Sequence, residues 1–184
     1  MARLAMGVLV RASSMGLLEG FTVRSLDRDV VLEALGRISR AGVGVGALAS
    51  AGERGMRLVL ERVVEALESS AVPEREWPGL VEMFGVDGLG ELVGVSGSSI
   101  RRYAAGARRT PQDVAMRVHF LALVVGDLSG TYNEYGIRRW FSRARSALGG
   151  KAPGNILGGE WDPDARGPSR VRELARSLAD MVGT

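Results

Sequence analysis

The stretch LVGVSGSSIRRYAAGARRTP, residues 92–111, decides how the chain is interpreted. If Gly94 is the turn glycine, a helix-turn-helix needs a small residue four positions earlier and inward-facing residues six and nine positions later. Gly90, Ile100 and Tyr103 occupy those positions. The remaining positions expected to face inward are Leu89, Val93 and Val95. The spacing therefore predicts a helix-turn-helix.

The second helix of this motif leaves a set of polar side chains facing outward. They are Ser96, Ser98, Ser99, Arg101 and Arg102, and the loop after the helix adds Arg108 and Arg109. Hydroxyl and guanidinium groups can contact base edges from a helix in the major groove, while loop arginines would meet the phosphate backbone. The alternative interpretation is a solvated arginine face on an ordinary helical hairpin.

The charge distribution favours nucleic acid as the partner of this stretch. Residues 96–149 carry 9 arginines and 3 acidic residues, whereas residues 1–95 carry 10 arginines and 13 acidic residues. A basic segment of this kind is the expected electrostatic footprint of a DNA-binding protein. Because one small module gives limited affinity, we expect a homodimer or a higher oligomer on double-stranded operator DNA.

The composition excludes cysteine chemistry and gives no support for catalysis or metal binding. The chain has no cysteine and a single histidine, His119, which lies in an apolar run and is interpreted as a core or boundary residue. Acidic residues are expected mostly on outer faces, and Asp162 with Asp164 is too small a set for a metal site. We therefore predict no enzyme, no catalytic residue, no metal and no cofactor. No segment resembles a targeting signal or a membrane span, so a cytoplasmic protein is expected.

Hydrophobic periodicity predicts an all-α fold. Helices are expected over Leu26–Gly42, capped by Asp27, and over about Glu53–Ser69. Pro78 is placed in the first turn of the next helix, and Thr110 with Asp113 is expected to form a capping-box-like pattern before another. The glycine-rich connector 42–55 lacks the preceding strand and the Gly-Lys-Ser/Thr sequence of a phosphate loop. The expected domains are a helical extension (1–75), a helix-turn-helix domain (76–127) and a third domain (128–184).

The last third has a distinctive order of elements. A tryptophan-containing helix with Ile137, Trp140 and Phe141 precedes a Leu-Gly-Gly-x-x-Pro sequence, a short Ile-Leu helix and a terminal amphipathic helix, about Pro168–Met181. The residues that carry this pattern are Trp140, Leu148, Gly149, Gly150, Pro153, Ile156 and Leu157. Together with the helix-turn-helix, this order resembles the Xre/MbcA/ParS antitoxins over roughly residues 81–181.

The resemblance implies a small helical toxin-binding domain after the DNA-binding domain. It also implies that the partner is a RES-domain toxin, which consumes NAD, and that the chain blocks the active site of this toxin. A third implication is that the chain represses its own operon. The chain departs from the family's pattern in two places. It contains the insertion GGEWDPDARGPS (158–169), and about seventy N-terminal residues have no counterpart in the family. Because the pattern's large apolar residues are expected in the core, toxin contacts would fall on the 158–167 loop, the outer face of the last helix and the tail 180–184. The alternative is a stand-alone transcription regulator or a centromere-type DNA-binding protein.

Overall fold

A computed structural model describes residues 1–45 and 53–182 of the protein, and most of these residues lie in helices. The all-α prediction is confirmed, and no strand occurs in these two ranges. The helices are α1 Ala2–Ser14, α2 Arg28–Arg40, α3 Glu53–Ser69, α4 Pro73–Val93, α5 Gly97–Ala104, α6 Gln112–Ser129, α7 Glu134–Ser142, α8 Pro153–Ile156 and α9 Arg166–Val182. A 3₁₀ turn, Ser146–Leu148, lies between α7 and α8. Residues 46–52 of the glycine-rich connector lie outside the described residues.

Helix α6 is the centre of the molecule. From residue 114 to residue 128 every side chain except Met116 is buried. Helices α1, α4, α7 and α9 pack against it, and most of the residues that it presents to them are apolar. Gly126 allows α1 to approach closely, because a Cβ atom there would lie 2.7 Å from the Ser14 hydroxyl. The buried residues of α1, α3, α6 and α9 thus belong to one hydrophobic cluster.

Local sequence signals placed several helix ends correctly. The Asp27 carboxylate caps α2 by accepting a hydrogen bond from the Val30 amide at 2.9 Å, and α3 spans Glu53–Ser69 as predicted. The apolar stripe of α3 is buried in the core, through Met56, Leu60 and neighbouring residues. The three-part domain division stays a prediction.

Two expectations about helix starts were wrong. Helix α4 begins at Pro73, so Pro78 lies inside the helix rather than in its first turn. Thr110 does not cap α6, because its hydroxyl accepts a 3.0 Å hydrogen bond from the buried indole N–H of Trp77. A buried indole N–H needs an acceptor, and this requirement outweighs a local cap. Asp113 instead pairs with Arg117 one turn later.

The single histidine is a core residue, as interpreted, and it has a buried acidic partner. His119 is 4% exposed and Glu76 is 0% exposed. The His119 Nδ1 atom lies 2.6 Å from Glu76 Oε1, and Nε2 lies 3.1 Å from the backbone carbonyl of Glu68. Since a carbonyl only accepts, Nε2 must carry a proton, and Nδ1 and Glu76 share a second one. Burial raises the pKa of Glu76, and the hydrogen bond from His119 opposes that rise.

Substituting Glu76→Gln should change how stability depends on pH. A carboxyl with a raised pKa contributes stability that is fully present below its ordinary value of 4.5 and is lost as pH rises through the raised value. Glutamine does not titrate, so the free energy of unfolding of E76Q should increase relative to the wild type as pH rises. Urea titrations at a series of pH values measure this difference. The exposed variant Glu65→Gln should show a flat difference, and a flat difference for E76Q would contradict the assignment.

A second buried polar cluster joins α1, α3, α6 and α9. Asp127 of α6 is buried and is contacted by Arg11 at 3.1 Å and Arg172 at 2.7 Å. Glu68 of α3 pairs with Arg176 at 2.6 Å and lies within 4 Å of the other two arginines. Among the described residues, most acidic side chains are exposed, as expected, whereas Glu76 and Asp127 are buried.

Candidate nucleic-acid interface

The hairpin formed by the end of α4 and by α5 carries the predicted DNA-binding residues. Gly85, with φ of 72° and ψ of 165°, breaks α4, so that residues 86–93 form a separate short helical segment. Gly94 ends that segment in the left-handed conformation, with φ of 71° and ψ of 33°. Helix α5 starts three residues later, at Gly97. The turn glycine thus has the positive φ that the spacing required.

The residues expected to face inward do pack inside this hairpin. Leu89, Val93, Ile100 and Tyr103 are buried, and Val95 is half-buried. Gly90 lies where the two helical segments meet, since a Cβ atom there would be 2.8 Å from the Val95 carbonyl oxygen. The ring of Tyr103 stacks on Trp77 with the centroids 5.8 Å apart.

The residues expected to face outward are mostly exposed. Ser96, Ser98 and all four arginines (Arg101, Arg102, Arg108 and Arg109) are exposed, while Ser99 is half-buried. Ser96 caps α5, because its hydroxyl accepts a hydrogen bond from the Ser99 amide. Its hydroxyl also lies 3.0 and 3.1 Å from those of the other two serines. Ser96 therefore has a structural role, which leaves Ser98 as the most available hydroxyl.

The four arginines form an uncompensated basic surface. Within residues 1–45 and 53–182, none of them makes an ion pair with a carboxylate. Arg108 lies over the ring of Tyr103, with 5.8 Å between its guanidinium carbon and the centroid. Asp87 of α4 lies beside the start of α5, since a Cβ atom on Gly97 would be 3.6 Å from its Oδ1 atom and 3.8 Å from the Arg101 guanidinium, but it forms no ion pair with that arginine. The other exposed acidic residues close in sequence, Glu91 and Asp113, belong to α4 and α6. Positive charge is therefore concentrated on α5 and the loop that follows it.

The residues of the carboxy-terminal pattern are core and turn residues. Trp140, Leu148, Pro153 and Leu157 are buried, and Ile156 is half-buried. Gly149 and Gly150 are exposed and have φ values of 66° and 79°, so they end the 3₁₀ turn. Phe141 packs edge-on against Trp140 and against Phe84 of α4. A partner could contact this region only through the two exposed glycines and the exposed neighbours of the buried residues.

The insertion at 158–169 packs on the turn between α4 and α5, a contact that the sequence did not predict. The Gly159 amide donates to the Glu91 carbonyl at 2.8 Å, and the Trp161 indole N–H donates to the Leu92 carbonyl at 2.7 Å. Glu160, Asp162 and Asp164 remain exposed beside this contact. In the sequence, the insertion shows only an alternation of apolar and acidic residues, and this pattern does not specify which surface of the protein the insertion packs against.

Three further findings bear on function. Among the described residues, no group of three or more histidine or acidic side chains could hold a metal ion. The described helices include none that could cross a bilayer alone by length and apolar character, although α6 and α7 would meet those criteria together across a 118° bend. No protein-family model, curated protein or solved structure matches the chain.

Proposed function

We propose that the protein binds double-stranded DNA through α5 and acts as an antitoxin that represses its own operon. The observation that carries the DNA-binding half is the combination in one hairpin of a buried inner face and an unpaired outer arginine face. Arginines that serve only to keep a helix face in contact with solvent do not require a hairpin with a buried inner face. Arginines that read DNA need a rigid support, which the packing of Ile100 and Tyr103 supplies.

In this proposal the residues of the hairpin have separate tasks. Ser98, Arg101 and Arg102 project from α5 toward base edges in the major groove, where an arginine fork can pair with guanine. Arg108 and Arg109 meet phosphates beside the groove and fix the orientation of the helix on the duplex. A homodimer would place two copies of α5 about one helical turn of DNA apart.

The antitoxin half of the proposal comes from the resemblance of the carboxy-terminal third. Its large apolar residues are buried, so contacts with a RES-domain-like toxin would fall on exposed residues of the insertion, among them Glu160, Asp162 and Asp164. Occupying that toxin's active site needs no catalytic group on this chain. A stand-alone cytoplasmic regulator is the second candidate, and it accounts for the same α5 surface without a toxin.

Replacing Arg101 and Arg102 with alanine should weaken binding to the DNA upstream of the gene about a hundredfold. Each well-placed arginine contact contributes about 1–3 kcal/mol, and removing two positive charges from the interface also reduces the dependence of affinity on salt. Fluorescence anisotropy at several salt concentrations measures both effects. The matched control is Arg40→Ala with Arg62→Ala, which removes two exposed arginines from α2 and α3. Equal losses in the two double variants would refute the assignment of α5.

The antitoxin half needs a separate experiment. The protein is purified together with the product of the adjacent reading frame, and NAD consumption is measured with and without it. The proposal predicts a stable complex and suppressed NAD loss. If no complex forms, or if NAD loss is unaffected, a DNA-binding regulator is the better account.

A further inference from the structure

The carboxyl end of α4 receives its hydrogen bonds from a distant part of the chain. The last carbonyls of a helix have no partner within that helix. Here Gly90 is satisfied locally, because its carbonyl accepts from the amides of Gly94 and Val95. The next two carbonyls, of Glu91 and Leu92, accept from Gly159 and Trp161. Residues 158–161, which we name the capping segment, therefore supply partners for two of the last carbonyls of this helix.

Backbone packing holds the capping segment directly against the turn. A Cβ atom on Gly94 would lie 2.6 Å from both the carbonyl carbon and the carbonyl oxygen of Gly159, and 3.0 Å from the Glu160 amide nitrogen. No side chain fits between the two backbones. The turn therefore cannot move toward the capping segment unless the segment also moves, and the two hydrogen bonds to Glu91 and Leu92 oppose their separation.

Trp161 fixes the other side of the capping segment. Its ring packs edge-on against Phe120 of α6, with the centroids 5.1 Å apart and the planes at 72°. Phe120 is buried in the central helix. A single side chain thus links the core helix to the carbonyl that lies two residues before the turn glycine.

We infer that Trp161 is a positioning residue for DNA recognition, which acts by holding the turn that sets the angle of α5 to the preceding helix. This inference rests on the proposed function of α5. If Trp161 holds the turn in this way, the capping segment also provides a means of regulation. A partner that pulls the capping segment off the turn must weaken DNA binding, and DNA must weaken binding of that partner by the same factor.

The variant Trp161→Phe tests this inference, because it keeps a ring against Phe120 and removes only the indole donor. We expect amide hydrogen exchange in residues 95–104 to become about fivefold faster and DNA affinity to fall by a similar factor, as for loss of one hydrogen bond. The matched control is Ile38→Val in α2, a small loss of buried volume far along the chain. It should leave exchange in residues 95–104 and DNA affinity unchanged, although it costs comparable global stability.

Each outcome of this experiment decides the inference. Unchanged exchange in residues 95–104 of W161F would overturn it, whatever the DNA result. Faster exchange with unchanged DNA affinity, or equal losses of affinity in W161F and the control, would show that Trp161 does not position α5 for DNA. If the wild-type protein does not bind DNA, the proposed function fails, and the exchange measurement alone decides whether the capping segment holds the turn.

Discussion

Replacing Asp127 with alanine should lower the free energy of unfolding by about 3–5 kcal/mol, because it removes the buried carboxylate that the buried Arg172 shares with two partly exposed arginines. The Asp127 carboxylate is 2.7 Å from Arg172, 3.1 Å from Arg11 and 3.8 Å from Arg176. Burial lowers the pKa of Arg172, and the charge and hydrogen bond of Asp127 oppose that change. Without Asp127, the guanidinium group of Arg172 would remain buried beside a second cation and would depend on Glu68 alone.

Urea denaturation followed by circular dichroism measures this loss. The matched control is Glu61→Ala, which removes an exposed carboxylate paired with Arg57 at 2.9 Å and should cost at most about 0.5 kcal/mol. A loss below about 1 kcal/mol for D127A would contradict the view that this cluster joins the first and last helices to α6.

Replacing Gly94 with alanine should cost about 2–4 kcal/mol, since two effects act at the same position. A left-handed conformation costs a non-glycine residue about 1–2 kcal/mol, and an added Cβ atom would also overlap the backbone of Gly159. The capping segment would have to move to relieve that overlap. Thermal unfolding of the purified variant measures the total cost.

Gly106 supplies the control for Gly94. It has φ of 66°, and a Cβ atom there would meet nothing within 4 Å. Gly106→Ala should therefore show the conformational cost alone, about 1–2 kcal/mol. If the two alanine variants lost equal stability, the close packing between the turn and the capping segment would contribute nothing.

The sequence predicted those features that depend on neighbours along the chain. Apolar periodicity and the Asp27 cap placed α2 and α3, and the spacing around Gly94 identified which residues of the hairpin would be buried. Ile137, Trp140 and Phe141 are buried on α7 because they recur at helical spacing.

The features that were missed join residues far apart in the chain. Glu76 and His119 are 43 residues apart, and Trp161 meets the Leu92 carbonyl across 69 residues. Arg11 and Asp127 are separated by 116 residues. No local pattern specifies such pairs, because each residue also fits an exposed position and only the packing of the helices brings the pair together. The same packing redirected Thr110 from a helix cap to Trp77.

The central claim is that α5 enters the DNA groove, and site-specific photocrosslinking tests it most directly. The chain has no cysteine, so Ser98→Cys provides a unique attachment point for a photoreactive group on the outer face of α5. Ser177→Cys, on an exposed position of α9, is the matched control. Irradiation with the upstream duplex should crosslink the Ser98 variant and leave the Ser177 variant uncrosslinked. Equal crosslinking, or crosslinking from position 177 alone, would contradict the claim.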